Sequence, residues 1–262
     1  MKHIYLICLF LSLTAFAAHP AHAQEALLHI FGTIPNDGVS PESSLTFDSA
    51  GNLYGTTAFG GQFGYGTVYK LSAGTWDESI LYNFMGGTDG GCLNDSGPLC
   101  ASNVILDGAG NLYGTTPEAG AYNGGVLFEL TPGGVGWTET VLHNFGGSGD
   151  GIAPANGVIM DKAGNLYGQT AGDYYQTDVP PTVYEVSLSG GTWVENIIYT
   201  LPNYDNVAAT STLTMDAAGN IYGNSAHEVF ELSPNGQGGW NPTVLHTFTG
   251  PPIDLCINNA IA

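Results

Sequence analysis

Polar and apolar residues alternate in short bursts along this chain, and the bursts recur. SSLTFD (43–48) places an apolar side chain at every second position, and SNVILD (102–107), NGVIMD (156–161) and STLTMD (211–216) repeat the pattern. A period of two is the mark of a strand with one face buried. A second run, NLYGTT (52–57), has copies at NLYGTT (111–116), NLYGQT (165–170) and NIYGNS (220–225). A third comprises TVYKLS (67–72), VLFELT (126–131), TVYEVS (182–187) and EVFELS (228–233). SILYNF (79–84), TVLHNF (140–145), NIIYTL (196–201) and TVLHTF (243–248) form the fourth. The four runs predict four strands per unit, here labelled a, b, c and d.

Between a and b stands one word, written DSAGN, DGAGN, DKAGN and DAAGN from Asp48, Asp107, Asp161 and Asp216. Two strands joined this closely need a tight turn. The Asp carboxylate accepts backbone N–H groups within such a turn, and Gly51, Gly110, Gly164 and Gly219 supply the positive φ that a Cβ penalises. The repeat units are therefore 43–84, 102–145, 156–201 and 211–248, with a period near 55 residues and an insertion between Cys92 and Cys100. A four-stranded antiparallel unit of this length, repeated without helical periodicity, predicts an all-β protein of propeller blades packed side by side. LLHIF (27–31) reads as a d strand before any a strand, and LCINNAIA (255–262) as the start of an a strand after the last d. The expectation is four complete blades plus a partial fifth built from the two termini, in one domain over 24–262.

Composition narrows the setting. Lys2 and His3, an apolar run from Ile4 to Ala18, and Ala21-His22-Ala23 spell a secretory leader over 1–23, with cleavage after Ala23. Its loss leaves Lys70 and Lys162 as the only Lys or Arg against 23 acidic residues. So acidic a surface cannot neutralise a phosphate backbone, which excludes nucleic acid and disfavours anionic membranes. After cleavage no membrane insertion is expected, and the protein is placed in the periplasm or outside the cell. Cys92 and Cys100 flank LNDSGPL, and in an exported chain they are expected to form a local disulfide, leaving Cys256 over.

GNLYGTTAFGGQFGYGTVYKLS (51–72), followed by ILYNFMGGTDG (80–90), resembles the GloVer tandem-repeat family of exported bacterial proteins, also called choice-of-anchor proteins. The resemblance runs over about residues 27–250. It weakens at AGDYYQTDVPPTVY (171–184) and in the fourth unit, where the b–c loop is nearly gone. It implies an exported, propeller-like repeat protein and brings no catalytic residues with it. Members often carry a C-terminal anchoring segment, and none is expected after Phe248 here.

Candidate chemistry competes with architecture at several repeated positions. His29, His143 and His246 share a strand-d position with Tyr82 and Tyr199, which reads as a packing position. Trp76, Trp137, Trp193 and Trp240, one per unit after the c–d turn, read as inter-blade packing, as do Tyr54, Tyr113, Tyr167 and Tyr222. The d–a loops hold Asp37, Asp150 and Asp205, each eleven residues before a hairpin Asp, together with Asp89 and Asp95. These five are the candidate ligand-binding residues. With strand a innermost they would ring a channel mouth, where Asp37, Asp150 and Asp205 are a candidate Ca²⁺ site. The plainer reading is that NDG, TDG and GDG make turns. No serine elbow, zinc signature or phosphate loop is present. The chain is thus expected to be a non-catalytic module binding a glycan, peptide or partner protein through glycine-rich loops. The alternatives are a Ca²⁺-dependent propeller hydrolase or lactonase and a structural envelope protein.

Overall fold

Each Asp-x-Ala-Gly-Asn word closes a hairpin through one repeated set of bonds. The structure is a computed structural model that describes residues 27–92, 102–172, 179–202, 212–225 and 227–248. The Asp48 N–H donates to the Asn52 carbonyl and the Gly51 N–H to the Asp48 carbonyl, each at 3.1 Å. Asp48 Oδ1 accepts the Ala50 and Asn52 N–H groups, both at 2.9 Å. Its Oδ2 accepts from the Asn52 amide at 2.7 Å and from the Tyr54 hydroxyl at 3.1 Å. Asp107, Asp161 and Asp216 make the same four side-chain bonds. The four turn glycines have φ between 84° and 90°. At glycine the left-handed backbone carries no Cβ cost.

The hairpins open into sheets. Blade 1 contains β2 (Thr46–Phe47), β3 (Leu53–Thr57), β5 (Thr67–Leu71) and β6 (Glu78–Asn83), while β1 (Gly38–Val39) and β4 (Phe59–Gly60) pair as a small two-stranded sheet in its loops. Blade 2 has β7 (Ile105–Leu106), β8 (Leu112–Thr116), β9 (Val126–Gly133) and β10 (Gly136–Asn144). Blade 3 comprises β11 (Pro154–Met160), β12 (Leu166–Thr170), β13 (Thr182–Ser189) and β14 (Thr192–Thr200). Blade 4 is built of β15 (Thr214–Met215), β16 (Ile221–Asn224), β17 (Glu228–Pro234) and β18 (Trp240–Thr247). In every blade the order is a–b–c–d and every pairing is antiparallel. Strand a is shorter than its alternation suggested, two residues long in blades 1, 2 and 4.

The apolar cores lie between blades. One joins Tyr54, Val68 and Phe84 of blade 1 to Val104, Leu112 and Phe128 of blade 2. The next joins Leu127 and Phe145 to Val158, Leu166 and Tyr184, and a third joins Tyr167, Val183 and Leu201 to Leu213, Ile221 and Phe230. A single sheet could not bury both faces, so each blade completes its neighbour. Starts of the a strands converge: Thr212 of blade 4 bonds Asn103 of blade 2 at 3.3 Å and the Asn156 carbonyl of blade 3 at 3.0 Å. The architecture is therefore a propeller of four-stranded blades with the a strands innermost.

Residues 27–31, expected as a d strand, are not paired into a sheet. They nevertheless fill a d strand's place against the next blade. Phe31 meets Tyr69 edge-on at 4.8 Å, as Phe84 meets Phe128 at 5.3 Å and Phe145 meets Tyr184 at 4.8 Å. Residues 255–262, the other half of the expected fifth blade, lie outside the described residues, as does the leader.

Candidate functional site

Every d strand carries a single-residue bulge at the same place. Leu81, Leu142, Ile198 and Leu245 have no partner in the c–d register: Ile80 opposes Tyr69 while Tyr82 opposes Val68, and the other blades repeat the slip. Along a regular strand, residues four apart share a face. One bulged residue reverses that parity. Glu78 and Tyr82, four apart on β6, therefore serve opposite junctions.

The result is a polar cluster at three junctions: between residues 27–31 and blade 1, between blades 1 and 2, and between blades 2 and 3. At the first junction His29 Nε2 lies 3.5 Å from Glu78 Oε2 and 4.0 Å from Asp37 Oδ2. At the second the Tyr82 hydroxyl donates to Asp89 Oδ2 at 3.0 Å, with Glu139 of the following blade close enough to feel both. At the third His143 Nε2 and Asp150 Oδ2 stand 2.9 Å apart, and Glu195 joins them. In the two histidine junctions one nitrogen and two carboxylate oxygens lie within 4.8 Å of one another.

Turn chemistry places the aspartates. The Asp37 N–H bonds the Ile34 carbonyl, and the Asp150 N–H the Gly147 carbonyl, both at 3.2 Å. The glycine after each Asp seats the loop on strand b. A Cβ on Gly38 would strike Thr57, one on Gly90 Thr116, and one on Gly151 Thr170. The Asp-Gly pairs thus make turns, as the plainer reading held, and the turns press their carboxylates into the junctions.

Burial governs the electrostatics. Glu78, Glu139 and Glu195 are each pushed up to about 7, first by burial and then by the neighbouring Asp37, Asp89 or Asp150 carboxylate. Burial, followed by the charges of Asp89 and Glu139, drives the Tyr82 phenol well above its usual range. The hairpin carboxylates behave oppositely. Asp48 is held down at about 2, first by the Asn52 side chain and then by the Asn52 N–H, Tyr54 and Ala50.

Asp37, Asp89 and Asp150 side with strands d, at the opposite edge of each sheet from strands a. Among the described residues no group of three candidate ligands joins Asp37 to Asp150. Asp95, Asp205, Cys100 and Cys256 lie outside the described residues, and Cys92 is buried beside Ala58. The strand-d His/Tyr position does pack, with His29 on Phe31 and His143 on Phe145 at 4.6 Å each, but it is polar at its tip. The sequence signal overlooked there is the glutamate four residues before it in Glu78, Glu139 and Glu195.

The tryptophans pack between blades. Trp137 and Trp193 lie against the first two inter-blade cores, and Trp240 meets Tyr167 edge-on at 5.7 Å. A shallow groove of about 400 Å³ runs over the hairpin side between blades 2 and 3, lined by Asp107, Tyr113, Asp161, Lys162 and Trp193.

These features define an all-β repeat protein of the propeller class, whose recurring polar residues sit between blades. The chain belongs to the Gloeobacter/Verrucomicrobia repeat family, whose model matches residues 13–229. No curated protein matches it. Among solved structures it is similar to a gluconolactonase from Xanthomonas campestris, at 13% identity and a TM-score of 0.49, covering 79% of this chain and 62% of that one. It is similar also to virginiamycin B lyase from Staphylococcus aureus, at 12% identity and 0.46, covering 80% and 56%. A third is PorZ, a surface component of the type-IX secretion system of Porphyromonas gingivalis, at 15% and 0.47, covering 79% and 27%. This chain thus spans less than two thirds of the length of each.

Proposed function

We propose that the protein is an exported, non-catalytic repeat scaffold that binds a glycan, peptide or partner protein through the loops joining d to a and b to c. The observation that carries this reading is the distribution of its loop carboxylates. Asp37 is gathered with His29 and Glu78, Asp89 with Tyr82 and Glu139, and Asp150 with His143 and Glu195, each in its own gap. Residues spent one per junction, in the same register, join blades. A reactive centre would instead draw groups from several blades to one point. A rigid frame with loops of varied wording on one side supports recognition. Export is part of the proposal, with cleavage after Ala23.

The test uses the secreted chain on glycan and peptide arrays, with a lactone-hydrolysis assay at millimolar Ca²⁺ beside it. Saturable binding that is lost when LNDSGPL (93–99) is replaced by a Gly/Ser linker of equal length is the expected result. Calcium-dependent turnover, or no saturable ligand on any array, would overturn it.

A further inference from the structure

We propose that the first and third junctions are binding sites for a divalent transition cation of the zinc type, held by His29, Asp37 and Glu78 and by His143, Asp150 and Glu195, which clamps neighbouring blades. Each set brings one imidazole nitrogen and two carboxylates together across a single junction. In the first set the Asp37 and Glu78 side chains are only 1% and 5% exposed. Despite that burial, His29 Nε2, Asp37 Oδ1 and Glu78 Oε1 have no hydrogen-bond partner, and neither do Asp150 Oδ1 and Glu195 Oε1 in the third junction. Buried polar atoms left this way are costly, and they belong to side chains that each bring a ligand atom within 4.8 Å of the other two.

The second junction differs in its strand-d residue and its aspartate. There Tyr82 stands in place of histidine and Asp89 is satisfied on both oxygens, while Glu139 Oε1 is unpartnered as Glu78 Oε1 and Glu195 Oε1 are. Its Oδ2 accepts from Tyr82 and the Met85 N–H, and its Oδ1 from the Gly87 N–H. A second difference goes with the first. Where the d position is His29 or His143, the facing strand-c residue is Tyr69 or Tyr184, and where it is Tyr82 or Tyr199 that residue is Phe128 or Phe230. The Tyr184 hydroxyl is fully buried, is unpartnered and lies near enough to Glu195 and Asp150 to feel their charges. In the first junction the Tyr69 phenol likewise feels the charge of Glu78.

Donor type selects the ion. Imidazole with a few oxygens suits zinc and its first-row neighbours, whereas Ca²⁺ asks for six to eight oxygens and no nitrogen. Tetrahedral zinc with bonds near 2.1 Å sets its ligand atoms about 3.4 Å apart. His29–Glu78 and His29–Asp37 stand 3.5 and 4.0 Å apart and His143–Asp150 2.9 Å, and within each set all three ligand atoms lie within 4.8 Å of one another.

The experiment follows the chain's own alternation. His29→Tyr with Tyr69→Phe, and His143→Tyr with Tyr184→Phe, rewrite junctions 1 and 3 as junction 2. The secreted protein is stripped with chelator and titrated with ZnCl₂, MnCl₂ or CaCl₂ in a calorimeter, and its melting temperature is followed. Zinc is expected to bind and to raise the melting temperature, each rewritten junction is expected to remove one equivalent, and the variant with both rewritten to hold two fewer than the unaltered chain. Failure of the unaltered protein to bind zinc or to change its melting curve would overturn the proposal, and that measurement needs no variant to fold. Unchanged stoichiometry in a folded variant, or a preference for calcium, would also overturn it. None of these outcomes depends on whether the loops bind a glycan or peptide.

Discussion

Two glycines in each repeat word do different work. Gly110 turns the hairpin at φ 90° with open space around it, so replacing it strains only the backbone. Gly114, four residues on, lies directly across from Phe128, and a Cβ there would stand 2.7 Å from Phe128 Cζ. Gly168 is crowded in the same way by Tyr184. Gly110→Ala is expected to cost about 1–2 kcal/mol from the left-handed backbone alone, and Gly114→Ala more, because an aromatic core residue must move. Asp161→Ala removes the acceptor of four hydrogen bonds and should cost about 1–3 kcal/mol. Urea unfolding of the three variants checks the order. The turn was legible in the sequence because every participant lies within seven residues of the word's first letter. Gly114 was not, since its reason is an aromatic ring on another strand.

Among elements, the bulged d strand sets the wiring. Plain alternation would put Glu139 and His143 on one face, and the bulge at Leu142 sends them to different gaps. Nothing local in TETVLHNF announces that slip, which is why the sequence suggested packing histidines and a ring of aspartates but no polar junctions. One consequence is a pH dependence. The Glu139 carboxyl is pushed up to about 7 by burial and then by Asp89, from an ordinary 4.5. Between those values the folded chain holds a proton that the unfolded chain has lost, so stability falls as pH rises through that window. Glu139→Gln should flatten the fall, measured as the urea midpoint at pH 5 and pH 8. A fall of undiminished size in the variant would remove Glu139 as a cause. Asp48, held near 2, works the other way: its contribution is present above the usual carboxylate range and disappears as pH drops toward 2.

Across the whole molecule, position in the array decides what a residue contributes. Phe145 and Phe248 occupy one repeat register, yet Phe145 is fully buried between blades 2 and 3 while Phe248 is 51% exposed on the face of blade 4. Phe145→Ala is expected to cost about 3–5 kcal/mol, and Phe248→Ala under about 1 kcal/mol. Equal losses in calorimetric melting would mean that the last blade is covered as fully as the inner ones. The blade count and strand order were legible from repeated alternation, whereas which faces meet was not, because the apolar residues of inner and outer blades are spelled alike.

The central claim is that a strand-d histidine works with the glutamate of the next blade and not with the one on its own strand. A pair of double-mutant cycles in urea unfolding tests it most directly, combining His143→Phe with Glu195→Gln in one and with Glu139→Gln in the other. The account predicts a coupling of about 0.5–3 kcal/mol for His143 with Glu195 and near-additivity for His143 with Glu139. Additivity in the first cycle with coupling in the second would contradict it.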